Sequence, residues 1–288
     1  MTDAEAAAGD PAADGEPGVT DRLAPDRRPT DPVVSLEVVD RVAHVRIERP
    51  AKRNAMSLEV FDQLTERAAE IASDDAIGAV VVSGRDGVFS AGIDISVLGA
   101  GFADGGIDPA FVDRLQSAFT AYEDLDVPTI AAIEGYCFGA GIQLALGCHL
   151  RAVAPDAKLS VMERRWGLIP DLGATVRLPR LIGPGRATEL ILTARTFDAE
   201  EALRLGVAEI ALPGTDPLDA AHRYAAGLAA GPGAVRHVAR LVRENLARSR
   251  TEGLAAEVAT QQRVTAGPDT AEALAAGLEG REPRFVGR

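Results

Sequence analysis

The fold of this chain follows most directly from one stretch, "PTIAAIEGYCFGAGIQLALG", residues 128–147. Its first part is a short, continuous apolar run, which is typical of a β-strand buried on both faces of a parallel sheet. Its second part places Gly139, Ala140 and Gly141 directly before an apolar run that resembles a helix. The first N–H groups of a helix have no partner within it and carry partial positive charge. The stretch therefore predicts an α/β fold in which backbone N–H groups at a helix start are open to a ligand.

Strands and helices alternate on the N-terminal side of this stretch. The runs "VVSLEVVD" and "VAHVRIE" predict a β-hairpin. The run "LEVFDQLTERAAEIA", residues 58–72, predicts a helix with Ser57 as its N-cap, and "AIGAVVVSG", residues 76–84, predicts another buried strand. This order predicts an α/β core over residues 33–185 with right-handed crossovers.

The two ends of the chain differ from this core. Residues 186–288 contain a series of amphipathic helical patterns, which predict a second layer or a contact between subunits. Residues 1–32 are rich in Ala, Asp, Gly and Pro and show no apolar periodicity. That composition predicts a disordered N-terminal tail, because the segment has too little apolar surface to bury.

The composition limits the classes of partner. The 288 residues are 47% hydrophobic and 25% charged, which is ordinary for a globular protein. The net charge of −13 disfavours nonspecific binding to nucleic acid or an anionic membrane, and no apolar run reaches the ~20 residues that span a bilayer. There are two cysteines, Cys137 and Cys148, and the histidines lack metal-ligand spacing. We therefore expect a soluble, cytoplasmic protein without a metal, a disulfide, or a nucleic acid or membrane partner.

A second loop with small residues follows the preceding strand. The sequence "GRDGVFSAGIDI", residues 84–95, begins where the buried strand ends, and ligands of α/β sheets usually bind at such carboxyl ends. Ala91 and Gly92 leave backbone N–H groups within reach of a ligand there. Two such loops side by side can direct two N–H groups at one developing oxyanion. The alternative that the glycines merely form tight turns stays open from these residues alone.

A third candidate site contains two acids. Glu163 and Asp171 lie eight residues apart in "SVMERRWGLIPDLGATVRLPRLIG", residues 160–183. A carboxyl group in apolar surroundings has a raised pKa and becomes a usable general acid or base. Two alternatives stay open: Glu163 is a solvated charge beside Arg164 and Arg165, or Asp171 caps the helix that follows it, which would lower its pKa.

Four segments together resemble the enoyl-CoA hydratase/isomerase (crotonase) family: "FSAGIDI", "IAAIEGYCFGAGIQLAL", "SVMERRWGLIPDLGATVRLPRLIG" and the C-terminal "REPRF". Each motif alone is modest, but their order and spacing are specific, and the likeness extends over residues 33–288. The resemblance implies a spiral of ββα units with a C-terminal helical region that forms homotrimers, often paired into hexamers. It also implies an acyl-CoA thioester substrate, converted by way of an enolate that two backbone N–H groups hold.

Matched position by position, the family's two N–H donors fall on Ala91 and Ala140. The family usually has glycine where Ala140 stands, and a backbone donor survives that change. Coenzyme A is part of the substrate, so no separate cofactor is implied, and Lys52 or Arg53 would lie near the CoA phosphates. The positions that the resemblance assigns to the acyl-CoA are Lys52, Arg53, Ala91, Gly92, Ile93, Asp94 and Gly139.

The two catalytic glutamates of hydratases match Glu163 and Gln143, so one acid is replaced by an amide. An amide can hydrogen-bond a water but cannot take its proton, whereas moving a double bond needs only one base. Δ3,Δ2-enoyl-CoA isomerases of the family work with a single glutamate at the position of Glu163. Dienoyl-CoA isomerases of the family have acids at the positions of Glu163 and Asp171, and a third acid where Gln143 stands. The resemblance therefore favours an isomerase in which Glu163 moves the proton and Asp171 assists.

Two other functions stay open at this point. The first is a hydratase, or a related lyase or hydrolase on an acyl-CoA, in which Asp171 or a held water replaces the missing glutamate. The second is a noncatalytic acyl-CoA binding protein, which an intact Glu163 disfavours. By analogy with the hydratases, we expect the side chain at position 143 to lie opposite Glu163 across the acyl chain.

Overall fold

The structure, a computed structural model, describes residues 32–98, 102–103 and 106–287. Its strands are, in chain order, β1 (Val34–Val39), β2 (Val42–Ile47), β3 (Ala79–Gly84), β4 (Phe102–Ala103), β5 (Gly106–Ile107), β6 (Thr129–Ile133), β7 (Tyr136–Phe138), β8 (Leu150–Val153), β9 (Lys158–Ser160), β10 (Phe197–Asp198) and β11 (Ile210–Ala211). Its helices are α1 (Leu58–Ala72), α2 (Ile95–Leu98), α3 (Pro109–Glu123), α4 (Ala140–Gly147), α5 (Ala174–Ile182), α6 (Pro184–Thr193), α7 (Ala199–Leu205), α8 (Pro217–Ala229), α9 (Val235–Asn245), α10 (Arg250–Thr265) and α11 (Pro268–Glu279). Short 3₁₀ turns cover Pro50–Lys52, Arg85–Gly87 and Glu163–Trp166.

The main sheet has the strand order β1-β2-β3-β6-β8-β11. β1 and β2 pair antiparallel through Asp40 and Arg41, which both have positive φ, as a tight two-residue hairpin turn requires. All the other neighbouring pairs of this sheet are parallel. The predicted hairpin and the predicted buried strands are therefore confirmed.

Helices cover both faces of the main sheet. α1 and α3 pack together on one face, where the rings of Phe61 and Phe119 lie 5.5 Å apart. The alanine-rich face of α8 packs on the other. Val80 and Val82 of β3 belong to the core under α1 and α3, whereas Val81 belongs to the core under α8. This division explains why β3 is apolar at successive positions, since alternate side chains of a strand point to opposite faces.

A second sheet, with the order β10-β9-β7, positions the loops of the candidate site. Next to β7, Ser90 forms a parallel bridge to Cys137. The Ser90 N–H donates to Tyr136 O over 2.8 Å, and Ser90 O accepts from the Phe138 N–H over 3.0 Å. The segment after β3 therefore runs beside β7, and the loops that follow them begin side by side.

The remaining predictions have mixed outcomes. Ser57 occupies the N-cap position of α1, but its side chain forms no capping hydrogen bond. The C-terminal part contributes the short strands β10 and β11 as well as its helices. Residues Pro32–Arg288 form one compact unit, and the boundary at residue 185 stays a prediction. The predicted tail lies outside the described residues except for Pro32. Within the described ranges, no helix is both long enough and apolar enough to cross a membrane.

Candidate active site

A cavity of about 390 Å³ opens where the loops after β3 and β7 meet. Eight of the predicted site residues line it, whereas Arg53, Gln143 and Asp171 do not. Its complete lining is Lys52, Ala55, Ala91, Gly92, Ile93, Asp94, Ile95, Gly139, Ala140, Met162, Glu163, Trp166 and Leu168. The structure therefore brings the three candidate segments of the sequence to one place.

The Ala91 N–H, which was predicted to be an oxyanion donor, is already used inside the protein. It donates to the carbonyl oxygen of Arg53 over 2.9 Å. The next N–H, that of Gly92, donates to the hydroxyl oxygen of Ser90 over 3.1 Å. The structure thus contradicts Ala91 as a donor, because its one backbone hydrogen is engaged and not available to a ligand oxygen. Ala91 keeps its place in the cavity lining.

Ile93 presents the free N–H of this loop. A parallel bridge joins it to Met56, whose N–H donates to Gly92 O over 2.8 Å and whose oxygen accepts from the Asp94 N–H over 2.9 Å. In this pattern the middle residue directs its own N–H away from the bridging strand. Among the described residues the Ile93 N–H has no partner. The local motif assigns Ile93 only to substrate contact, because a bridge to a residue 37 positions away is not visible in it.

The start of α4 presents a second free N–H. Ala140 is the first residue of α4, and Gly139 before it supplies no side-chain cap. The Ala140 N–H has no partner in the described part of the chain, as is usual in the first turn of a helix. Ile93 and Ala140 both line the cavity, so two unbonded N–H groups lie on its two walls.

Glycines at positions 92 and 141 allow these two walls to approach. A Cβ atom on Gly92 would lie 2.8 Å from Phe138 O and 3.6 Å from Ala140 N. A Cβ atom on Gly141 would lie 2.9 Å from Ser90 O. A larger residue at either position would push the loops apart. These glycines therefore allow the close spacing of the two walls, and their role is not limited to forming tight turns.

Glu163 has an unpaired carboxylate oxygen. Gln143 Nε2 donates to Glu163 Oε1 over 2.7 Å, whereas Oε2 is buried and has no hydrogen-bond partner among the described residues. Burial raises the pKa of Glu163; hydrogen bonds from its own backbone and from Gln143 oppose that shift, and the negative charge of Asp171 adds to it. Glu163 is therefore a half-buried residue whose Oε2 is removed from solvent, and not a solvated charge beside Arg164 and Arg165.

Gln143 lies behind Glu163 and outside the cavity lining. It is 1% exposed, and its Oε1 accepts from the N–H groups of Leu172 and Ala174 over 2.9 and 3.1 Å. Because these two donors require the oxygen, the NH₂ end must face Glu163. The expectation that position 143 lies across the acyl chain from Glu163 is therefore wrong. The amide is a buried bridge between Glu163 and the start of α5.

Asp171 is close to this pair but is also outside the cavity lining. α5 begins at Ala174 with Gly173 as its N-cap, so Asp171 is not the helix cap. Burial raises the pKa of Asp171, and only a hydrogen bond within its own residue opposes the shift. Since a capping role would lower the pKa, the carboxyl group of Asp171 behaves as a second, partly desolvated acid.

Basic side chains are sparse at the cavity. Lys52 lines it and has no ion-pair partner within the described ranges. The Arg53 guanidinium lies over the ring of Tyr136, 5.7 Å from its centroid. Arg49 pairs with Asp94 over 2.9 Å and so balances that acid of the lining. No cluster of three or more His, Cys, Asp or Glu side chains in the described part of the chain could hold a metal ion.

Comparisons of the sequence and of the structure with known proteins lead to the same family. The profile of the family described as enoyl-CoA hydratase/isomerase matches residues 37–288. The mitochondrial methylglutaconyl-CoA hydratase of Mus musculus is 34% identical over 247 residues, which are 84% of this chain and 78% of that protein. The crystal structure of an enoyl-CoA hydratase from Bacillus anthracis matches with a TM-score of 0.82 and 29% identity, over 89% of this chain and 100% of that one. A crystal structure from Thermobifida fusca YX, which contains CoA, matches with a TM-score of 0.74 and 33% identity, over 82% and 93%.

Proposed function

The chain belongs to the enoyl-CoA hydratase/isomerase family of enzymes and has the crotonase fold, and from that premise we propose that it moves the double bond of an enoyl-CoA thioester. One observation carries the proposal: the oxygen of Gln143 already accepts two backbone N–H groups. Gln143 therefore cannot take a proton from water, and it does not reach the cavity. Glu163 is left as the base, and one base is sufficient to move a double bond.

The N–H groups of Ile93 and Ala140 are the proposed oxyanion donors. Loss of a proton next to a thioester carbonyl places negative charge on the carbonyl oxygen, and preorganised N–H donors stabilise such a charge. Both groups are unbonded among the described residues, and both residues line the cavity. Ile93 replaces Ala91 in this role, whereas Ala140 keeps the role that the family resemblance implied.

Glu163 is the proposed carrier of the proton. On a 3-enoyl-CoA, Glu163 Oε2 removes a proton from C2, and the electron pair forms a dienolate that ends on the thioester oxygen. The same carboxyl group then returns the proton to C4, and the double bond moves from C3–C4 to C2–C3. No water or cofactor is consumed. A raised pKa suits this cycle, because the group must take and release a proton near neutral pH.

Asp171 is proposed to assist through its charge. Its negative charge raises the pKa of Glu163 and so makes Glu163 a stronger base. The spacing of the two acids matches that of the dienoyl-CoA isomerases, so a dienoyl-CoA is a second candidate substrate of the same reaction. Two acids, and not three, would then serve that substrate here, since Gln143 stands at the third position.

A hydratase is the second candidate function. It is favoured by the names of the similar proteins from Mus musculus and Bacillus anthracis, which are both hydratases. Asp171, a second acid with a raised pKa, would then handle the second proton of the water. A noncatalytic binding protein is disfavoured, because a buried carboxyl group with an unpaired oxygen weakens the fold and serves no purpose in a simple binder.

The CoA part of the substrate is proposed to extend past Lys52 and the loop at residues 91–94. Lys52 is a free cation at the cavity of an acidic protein, and phosphates favour such a group. Arg53 is adjacent in the chain and remains a candidate contact outside the lining. The crystal structure with CoA from Thermobifida fusca supports the substrate class.

We propose that the chain forms a homotrimer, alone or paired into a hexamer, through α9. Val238, Val242 and Leu246 are 58%, 61% and 60% exposed. A further cavity of about 520 Å³ with a largely apolar lining lies beside these side chains. Contiguous apolar surface of this kind favours association.

We propose that the protein is located in the cytoplasm. Both of its cysteines are free and buried, which fits a reducing compartment.

The function is tested with 3-enoyl-, 2-enoyl- and dienoyl-CoA thioesters of one chain length. Mass spectrometry separates the outcomes, because hydration adds one water and isomerisation leaves the mass unchanged. We expect double-bond migration to be faster than water addition. Faster water addition would replace the isomerase with the hydratase, and a lack of either reaction on every thioester, despite binding, would indicate a binding protein.

A further inference from the structure

We propose that this site accepts acyl groups without charge and rejects acyl groups that carry a free carboxylate. The inference rests on the proposed function, an acyl-CoA site at the cavity between the loops after β3 and β7. It also separates this chain from a relative at 34% identity, since a methylglutaconyl thioester carries a free carboxylate at the far end of its acyl group. Selectivity of this kind depends on which charged side chains belong to the cavity lining and which lie outside it.

The lining is apolar apart from three residues. Lys52, Asp94 and Glu163 are its charged members. Asp94 is balanced by Arg49 over 2.9 Å, and Lys52 is the cation proposed for the CoA phosphates. The larger apolar side chains that remain for an acyl group are those of Ile93, Ile95, Met162, Trp166 and Leu168.

The charged side chain that acts on Glu163 is negative. Asp171 is near enough to raise the pKa of Glu163 through its charge. Arg164 and Arg165 follow Glu163 in the same 3₁₀ turn, yet neither lines the cavity, and Arg165 Nη2 donates to Ala194 O over 3.0 Å. No unengaged cation of the described lining is therefore left for the acyl end.

A carboxylate on the acyl chain would lose its water without gaining a cation, and it would face the carboxyl group of Glu163, which is part of the lining, whereas Asp171 is not. Burial of an unpaired charge and juxtaposition of like charges are both unfavourable. We therefore expect a terminal carboxylate to weaken binding by about 100-fold relative to a neutral group of the same size.

The test compares pentanoyl-CoA with glutaryl-CoA on the wild-type chain of 288 residues. Both acyl groups have the same number of carbons, and both are saturated, so neither is turned over. The methyl ester of glutaryl-CoA is the neutral control for the added polar atoms. Trp166 is the only tryptophan of the chain and lines the cavity, so its fluorescence reports occupancy, and calorimetry gives the affinity independently.

We expect pentanoyl-CoA and the methyl ester to bind with similar affinity and glutaryl-CoA to bind about 100-fold more weakly. Leu168→Arg adds a cation to the lining and should reduce this ratio, whereas Leu168→Met should leave it unchanged. Equal binding of pentanoyl- and glutaryl-CoA to the wild type would overturn the inference and leave the acyl-CoA function intact. Failure of all three thioesters to bind would overturn the proposed function, and this inference with it.

Discussion

Gln143 and Glu163 are joined by a 2.7 Å hydrogen bond from Nε2 to Oε1, and the N–H groups of Leu172 and Ala174 hold the amide oxygen on its other side. The chain of bonds passes from the backbone near the start of α5 through the amide to the carboxylate. Hydrogen bonds in such a series polarise one another. One oxygen of Glu163 is thus fixed for positioning, and the other, Oε2, is left without a partner among the described residues.

Glu163→Gln should abolish most turnover and leave thioester binding largely intact. The amide keeps the size of the side chain, and its oxygen still accepts from Gln143, but it cannot take a proton. Loss of a general base typically costs ~10²–10⁴-fold in rate. Steady-state rates, together with the fluorescence of Trp166 on binding a saturated acyl-CoA, measure the two effects separately.

Glu257→Gln is the matched control, because Glu257 is an exposed residue of α10. It should keep the wild-type rate. A Glu163→Gln variant that also keeps that rate would remove Glu163 from the mechanism, whichever reaction the enzyme catalyses.

Glu163→Gln should also stabilise the fold at neutral and alkaline pH. The pKa of Glu163 is raised in the folded state, so its favourable contribution is complete below the unfolded pKa and is lost as pH rises through the folded value. The variant has no such loss. Its melting temperature should exceed that of the wild type at pH 8, and the difference should shrink as the pH falls towards 4.

Asp171→Asn should also raise the melting temperature at pH 8, because burial raises the pKa of Asp171 as well.

A Glu163→Gln variant that is less stable than the wild type at pH 8, and no more stable at low pH, would contradict the prediction. It would mean that burial of the Glu163 carboxylate does not destabilise the fold.

The main sheet was readable from the sequence because its pattern is local. β3 and β6 are buried along their whole length, so their segments are continuous apolar runs, and the hairpin of β1 and β2 has its turn in two adjacent residues. The small residues Gly139, Ala140 and Gly141 at the start of α4 likewise indicate a helix start with unbonded N–H groups.

The roles within the site were less readable because they depend on distant contacts. Ala91 and Ile93 are two positions apart in one motif, and only the bridge of Ile93 to Met56 decides which N–H stays free. The orientation of Gln143 depends on N–H groups 29 and 31 residues away. A motif gives the residue types at a site, and the long-range hydrogen bonds determine which atoms are available.

Ala140→Pro should remove one oxyanion donor without removing the helix. Ala140 is the first residue of α4, a position where proline is well tolerated, since its missing N–H has no partner within the helix. Loss of one oxyanion donor typically costs ~10²–10³-fold in kcat. Ala140→Gly keeps the N–H and should keep the rate, apart from a small effect on helix stability. Equal rates in the two variants, with both folded by circular dichroism, would exclude this N–H from catalysis.

Gln143→Glu separates the two candidate reactions. One oxygen of the new carboxylate keeps the N–H groups of Leu172 and Ala174, and the other takes the place of Nε2, 2.7 Å from Glu163 Oε1 in the present structure. Two carboxylate oxygens this close must share a proton, so the pair titrates with a raised pKa. Isomerisation should then fall by about tenfold for each unit by which that pKa exceeds the assay pH.

The hydratase gives the opposite result, because hydration needs a second proton carrier, and an acid at position 143, although outside the cavity lining, can exchange its proton with Glu163 through the hydrogen bond that joins them. A rise in water addition to a 2-enoyl-CoA would therefore favour the hydratase, and a fall in double-bond migration with an acid limb shifted to higher pH would favour the isomerase. The double variant Gln143→Glu, Glu163→Gln is the control for packing, since it restores one carboxylate and one amide in the same hydrogen bond. It should recover the melting temperature of the wild type and remain inactive, because its acid lies behind the cavity wall where no substrate carbon is within reach.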